Sequence, residues 1–257
     1  MLTETDPRVL AEINLRAVLG ALPRLVDLAP DARTLLAGLD RPVTLTFTVL
    51  GGSTARFRFA RDGITAAPAP GAPGTSARLL LRSPAHLNAV IDGTSQPVPV
   101  AGPAGLRFLT GTFTPLSALL SRYLQPSDAD LADEAFAAAS RELVVHVAVA
   151  ALVVVANEDR AGRFSAGQMP DGDLDVEAGD DLRYRVRITG HRLRLVPVDG
   201  TPARATFRFA DLVTAGDVLA GRESALACVG DGRIALSGYI PLVDNASRVL
   251  DRVGQYL

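Results

Sequence analysis

The sequence predicts an α+β protein made of two repeats, each with antiparallel strands covered by helices. Three observations carry that expectation. Segments such as VTLTFTVL (43–50) and TARFRFA (54–60) alternate apolar and polar residues, as half-buried strands do. Apolar residues at helical spacing occupy the stretches around them, and the same order of elements runs twice. With 257 residues, 48% apolar and 21% charged, the chain can bury a substantial core, which excludes a disordered, collagenous or mucin-like chain.

In the first half, Thr5 is a candidate N-cap ahead of Leu10, Ile13, Val18, Leu19 and Leu22, whose spacing predicts two helices broken near Ala29 and Pro30. Strand 43–50 follows, Gly51 and Gly52 turn the chain into strand 54–60, and Asp62-Gly63 turns it again into a short strand at 64–67. This is an antiparallel meander. The Pro/Gly loop PAPGAPG (68–74) leads to a strand at 77–82 and a helix at 83–92, with Ser83 as N-cap and Pro84 at the first helical position. A helix at 116–124 and the polar stretch QPSDADLAD (125–133) close the half, so we place the repeats at 1–128 and 129–257.

From Asp133 the order starts again. A long helix to about Val155 precedes polar, glycine-rich turns, strands at 182–189 and 192–198, a turn at Gly200, a strand at 203–209 and a helix at 211–219 running into Gly221. Residues repeat with the elements. Phe57 and Phe59 correspond to Tyr184 and Val186 at a shift of 127, and Ala77-Arg78 to Ala203-Arg204 at 126. Gly93 corresponds to Gly221 at 128, and Gly105 and Gly111 to Gly232 and Gly238 at 127.

Composition narrows the chemistry. A formal net charge of -2 gives no global reason to expect nucleic acid or an anionic membrane as partner. All 26 basic residues are arginine, which fits a high-GC bacterial genome and removes Schiff-base catalysis by lysine. The single cysteine, Cys228, allows no intramolecular disulfide and no CxxC pair, and with the polar, acidic start MLTETDPRVL it suggests a cytoplasmic protein without a signal peptide. The apolar run 143–156 is shorter than the roughly 20 residues that span a bilayer. It contains His146, so it is expected to be a core or cavity-lining helix, and no integral membrane segment is predicted.

Sharper signals dissolve on inspection. Gly230-x-Gly232-x-x-Ala235 imitates a dinucleotide fingerprint, but RIALSGYIP is too short and alternating for the helix that must follow. His86, His146 and His191 lack a second ligand at metal spacing, so no metal and no cofactor is implied. His146 lies four residues after Glu142 on one helix face, a tied core histidine or a polar anchor inside a cavity. Ser117, Ser121 and Ser140 lack the nucleophile-elbow context. Arg56, Arg58, Arg183, Arg185 and Arg187 alternate with apolar residues, the solvated face of a sheet or a row meeting an anionic head group. The terminal stretch from Ile240 carries an amphipathic stripe whose default role is core packing, a transient membrane contact being the alternative.

Residues 204–250, RATFRFADLVTAGDVLAGRESALACVGDGRIALSGYIPLVDNASRVL, resemble the C-terminal half of a domain of the sterol carrier protein 2 family. The resemblance rests on the helix Val213, Val218, Leu219 before Gly221, and on the strand pattern Gly232-Arg-Ile234-Ala-Leu236-Ser-Gly238 followed by a terminal helix. In the first half, Gly105-Leu-Arg-Phe-Leu109-Thr-Gly111 keeps the glycines but puts Arg107 at an apolar position, a degenerate copy. The resemblance implies, per repeat, a sheet of about five mostly antiparallel strands covered by helices, with an apolar tunnel between. Its members bind sterols, fatty acids or acyl-CoAs and usually carry no catalytic apparatus. The implied ligand contacts are Phe57, Phe59, Leu109, His146, Val149, Tyr184, Val186, Val218, Leu236 and Tyr239. The expected partner is thus a hydrophobic small molecule, lipid, sterol, fatty acyl or polyketide-like. The alternatives are a bacterial cyclase or isomerase using the same cavity, and an interaction scaffold with none. The oligomeric state stays open.

Overall fold

A computed structural model describes residues 5–66, 74–180 and 182–257. Apart from Gly74, the loop expected at 68–74 lies outside the described residues. The chain divides into two compact units, Leu10–Ala139 and Ser140–Leu257 with Met1–Val9. That division falls eleven residues beyond the 128/129 boundary placed from the sequence, inside a helix and not in the polar stretch before it.

The chain begins with α1 (Pro7–Ile13), where the Asp6 carboxylate, one residue after the expected Thr5, accepts from the Arg8 N–H at 2.8 Å. A wide π turn (Asn14–Val18) and a tight 3-10 turn (Leu19–Ala21) lead into α2 (Leu22–Leu28) and α3 (Pro30–Ala37). The break sits at Ala29, which is extended (φ -103, ψ 115) because the Pro30 ring excludes helical backbone from the residue before it. Then come β1 (Val43–Val49), β2 (Thr54–Ala60), β3 (Gly63–Ala66), β4 (Thr75–Leu81), α4 (Pro84–Ile91), β5 (Val98–Ala101) and α5 (Pro103–Phe108). A second π turn (Leu109–Phe113), α6 (Thr114–Leu124) and α7 (Asp128–Leu131) complete the half. The strand order is β3-β2-β1-β4-β5, with β1 and β4 parallel and the other pairs antiparallel. Alternation decides the faces: Leu45, Phe47, Phe57, Phe59, Leu79 and Leu81 are buried under the helices.

The second half holds α8 (Glu134–Glu158), α9 (Arg160–Ala166), β6 (Gly172–Ala178), β7 (Leu182–Thr189), β8 (Arg192–Val196), β9 (Ala205–Phe209), α10 (Leu212–Leu219), α11 (Ala225–Gly230), β10 (Ile234–Gly238) and α12 (Ile240–Val253). Its sheet runs β10-β9-β6-β7-β8, with β6 and β9 parallel. Read from the other edge this is the first sheet again, strand for strand and with the same polarities. Two five-stranded, mostly antiparallel sheets covered by helices are therefore present, consistent with two repeats.

The register corrects the residue correspondences. Leu45 lies between Phe57 and Ala77, and Leu174 lies between Val186 and Ala205. Phe57 thus matches Val186, two residues on from Tyr184, and Ala77 matches Ala205 instead of Ala203. Gly93 and Gly221 do correspond: both end the helix after the fourth strand at φ 71, and Ser83 and Asp211 cap those helices through their side chains. Beyond that point α11, which the first half lacks, lengthens the second copy. Gly105 and Gly111 consequently fall in α5 and the π turn after it, and the counterpart of β10 is β5. The expected degenerate strand at 105–111 is helical.

α8 is the one helix among the described residues with the length and composition to cross a membrane, 25 residues, and 61% of its apolar window is buried inside the protein. A core helix has the same character. At its C-terminal end Asp159 caps α9, accepting from the N–H groups of Ala161 and Gly162, both at 2.9 Å. The same carboxylate accepts from Arg252 at 3.1 Å and from the Tyr256 hydroxyl at 2.8 Å, and all three side chains are buried. The Tyr256 oxygen in turn accepts from the Asp6 N–H at 3.0 Å. Burial by itself would raise the Asp159 carboxyl, but the hydrogen bonds from Arg252, Gly162 and Tyr256 outweigh it and hold the group below its usual range. The stripe Leu242, Val243, Ala246, Val249 and Val253 of α12 is buried, and the helix packs on α9 and β9.

Candidate functional site

The two π turns of the first half each insert an extra residue per turn, and each delivers a side chain to one cavity. Val18 ends the first wide turn and Phe113 the second. The cavity has a volume of about 590 Å³. Its floor is the inner face of the sheet, Phe47 from β1 with Leu79 and Leu81 from β4. Leu87, Val90 and Ile91 of α4 form one wall, and Leu120 and Leu124 of α6 the other. A buried hydrogen bond from Asn14 Nδ2 to Asn88 Oδ1, 3.1 Å, fastens the first π turn to α4 beside that wall.

Polar side chains are few. Asp92, Ser117, Ser121 and Gln125 contribute them, and Asp92 is the one ionisable side chain in the lining. The Ser117 hydroxyl donates to the Phe113 carbonyl at 2.9 Å, so it answers its own helix. A second cavity of about 600 Å³ takes Val43 and Thr75 from the opposite ends of the same strands, together with Leu35, Leu39, Arg41, Arg107 and Phe108. Between the two stands a cluster of rings. Phe47 meets Phe57 and Phe113, and Phe59 meets Phe108 and Phe113, at centroid distances of 5.0 to 6.2 Å.

Of the residues expected to contact a ligand, Phe57 and Phe59 belong to this ring cluster, and Leu109 is buried in the second π turn. None of the three lines the first cavity, which is walled by their neighbours. In the second unit, the His146 and Tyr184 rings lie 5.5 Å apart at 58°. Val149 and Val186 are fully buried, and Val218 is half-buried on α10. Leu236 and Tyr239 are exposed at the edge strand, with the Arg204 guanidinium 4.2 Å over the Tyr239 ring. The structure thus brings together one pair and one cluster from the expected set.

Val18, Leu79, Leu87, Val90 and Leu120 line the cavity but lie outside the expected set of ligand contacts. Their signal is present but ordinary: Leu116, Leu120 and Leu124 repeat at four-residue spacing, the mark of any core-facing helix.

The remaining polar candidates have structural roles. His86 Nδ1 accepts from the Arg82 N–H at 2.9 Å, and its Nε2 lies 3.1 Å from the Gln96 carbonyl. His191, at φ 62, sets Nδ1 3.0 Å from the Met169 carbonyl. Cys228 is buried, and burial pushes its thiol up, away from the reactive thiolate. Among the described residues no three His, Cys, Asp or Glu side chains are grouped to hold a metal ion.

The outer face of the second sheet is ionic. Directly opposed across β6 and β7 are Asp173 and Arg187, Asp175 and Arg185, Glu177 and Arg183. Arg185, 1% exposed, makes two bonds to Asp175 at 2.7 and 2.9 Å, and Arg187 makes two to Asp173 at 2.8 and 2.7 Å. The Arg187 hydrogen bonds hold the Asp173 carboxyl below the usual carboxylate range. The arginines of β7 therefore meet carboxylates of the chain itself. No protein-family model and no curated protein matches the chain.

Proposed function

We propose that the protein binds a hydrophobic small molecule, of lipid, sterol, fatty acyl or polyketide-like type, in the cavity of its first unit. The observation that carries this reading is the cavity itself: about 590 Å³ between sheet and helices, walled by aliphatic side chains and two phenylalanines, with four polar residues in its lining. That volume falls within the range of ligand sites, roughly 300–1,000 Å³, and such a lining orients a ligand through few contacts. The resemblance of residues 204–250 to the sterol carrier protein 2 family supports the same reading, as does the helix-covered five-stranded sheet in each repeat.

Catalysis in the cavity would call for convergent titratable groups, and its lining holds Asp92 alone. A scaffold without a cavity leaves the opening between α4 and α6 unexplained. The test is titration with a fluorescent fatty acid and a fluorescent sterol, alongside native mass spectrometry of the purified protein. Val90→Trp pushes an indole into the cavity; overpacking on that scale costs about 1–3 kcal/mol, hence about 5- to 150-fold in affinity. Saturable probe binding that Val90→Trp weakens is the expected result. No probe binding and no co-purified molecule would overturn the reading.

A further inference from the structure

The two sheets carry the same arginines on their outer faces and treat them differently. By register, Arg56 and Arg58 of β2 are the counterparts of Arg185 and Arg187 of β7. In the second sheet those arginines face Asp175 and Asp173. In the first sheet the same two positions are Thr46 and Thr44. A third arginine, Arg78 of β4, flanks Thr46 from the other side, so Arg56, Thr46 and Arg78 form one row across three adjacent strands. At about 4.8 Å per strand the two guanidinium stems rise roughly 10 Å apart.

The five strands of this sheet contain no Asp and no Glu. Among the described residues, none of the three arginines has a carboxylate within ion-pair distance. Arg58 and Arg78 are exposed and Arg56 is half-buried. Beyond Arg78 the row continues into Val100, 50% exposed, and the next outward position of β5 is Val98, 38% exposed. The helices bury the opposite face, where Leu45, Phe57 and Leu79 lie, while Pro23 and Asp27 of α2 reach a hollow beside Arg58 at the sheet edge. Unpaired arginines among hydroxyl donors, bordered by exposed valines, are complementary to a surface of anionic phosphates over hydrocarbon.

We propose that the outer face of the first sheet docks the protein on an anionic phospholipid surface, where lipid head groups take the places that Asp173 and Asp175 occupy in the second sheet. Phosphate oxygens accept from Arg56, Arg58 and Arg78, and Val98 and Val100 meet the boundary below the head groups. A soluble protein partner with an acidic face satisfies the arginines but leaves the exposed valines unused, which is why the lipid surface is the occupant argued. This docking is independent of whether the cavity binds a ligand, which the probe titrations read separately.

The test is sedimentation of the full-length protein with vesicles of phosphatidylcholine, with and without phosphatidylserine. Binding is expected only with phosphatidylserine, and it weakens as ionic strength rises. Each arginine near such a surface contributes about fivefold, so the Arg56→Gln, Arg58→Gln, Arg78→Gln triple variant loses about 100-fold. Thr44→Asp with Thr46→Asp installs the second sheet's carboxylates opposite Arg58 and Arg56. It keeps the fold, checked by circular dichroism, and abolishes vesicle binding. A matched triple at exposed arginines outside this sheet, Arg33→Gln, Arg160→Gln and Arg194→Gln, removes the same charge and retains binding. Equal binding to neutral vesicles, or equal loss in the two triples, overturns the proposal. So does unchanged binding in the Thr44→Asp, Thr46→Asp variant.

Discussion

Replacing Asp159 with asparagine removes one charge while keeping the shape of the side chain and its ability to cap α9. The hydrogen bonds from Ala161 and Gly162 survive, because asparagine is as good an N-cap as aspartate. What is lost is the partner of Arg252, a guanidinium only 8% exposed that donates to Asp159 at 3.1 and 3.3 Å. Removing one member of a buried ion pair costs about 3–5 kcal/mol, mostly through the charge left behind. Arg252 retains the Gln255 Oε1 and the Tyr256 hydroxyl, the latter at 3.4 Å, which points to the lower end, about 3 kcal/mol. That is roughly two decades in the opening equilibrium of α12, at about 1.4 kcal/mol per decade.

Native-state hydrogen exchange reads this directly. Amides of α12 and α9 should lose about a hundredfold in protection, while the first sheet, in the other unit, should change little. The double variant Asp159→Asn, Arg252→Met replaces the pair by a neutral contact and should recover most of the loss, a coupling that a double-mutant cycle measures. A single variant within about 0.5 kcal/mol of the parent protein would refute the reasoning, since the charge would then not be held by the pair.

Two further outcomes follow from the same structure. Asp159 and Asp173 both have carboxyls held below the usual value, so their contribution is complete above an unfolded-state value of about 4 and is lost as pH falls through the folded values. Melting temperature should therefore be flat from neutral pH to about 5 and fall below about 4, and Asp159→Asn should shallow that acid limb in calorimetry. Gly238 sits at φ 88, and a Cβ there would fall against the Arg204 carbonyl oxygen and lie 2.7 Å from the Ala205 Cα. Gly238→Ala should detach β10 from β9 and cost about 2 kcal/mol or more in urea denaturation, whereas alanine at Gly230, where nothing lies within 4 Å, should be tolerated.

Elements whose signal is local could be read from the chain. VTLTFTV and TARFRFA alternate cleanly because one face of the first sheet is buried and the other polar, and the break at Ala29 follows from the proline after it. β6 was hidden. Its GDLDVEA carries three carboxylates and looks like a turn-rich stretch, and only the arginines placed opposite by β7 make those positions compatible with a sheet. β5 was hidden too, since VPVA is a short edge strand whose proline needs no ladder partner on its free side.

The cavity was the least legible feature. Its walls use the same leucines and valines as a filled core, and its position depends on two π turns that no pattern in the residues announced. The sequence by itself determined the α+β class, the repeated order of elements and the aliphatic character of the interior, because these follow from periodicity and composition. Tertiary structure decided where a cavity remains and which arginines are neutralised. Both depend on which strands and helices become neighbours, and the pairing of Asp175 with Arg185, where Arg56 meets Thr46 instead, exists only in that register.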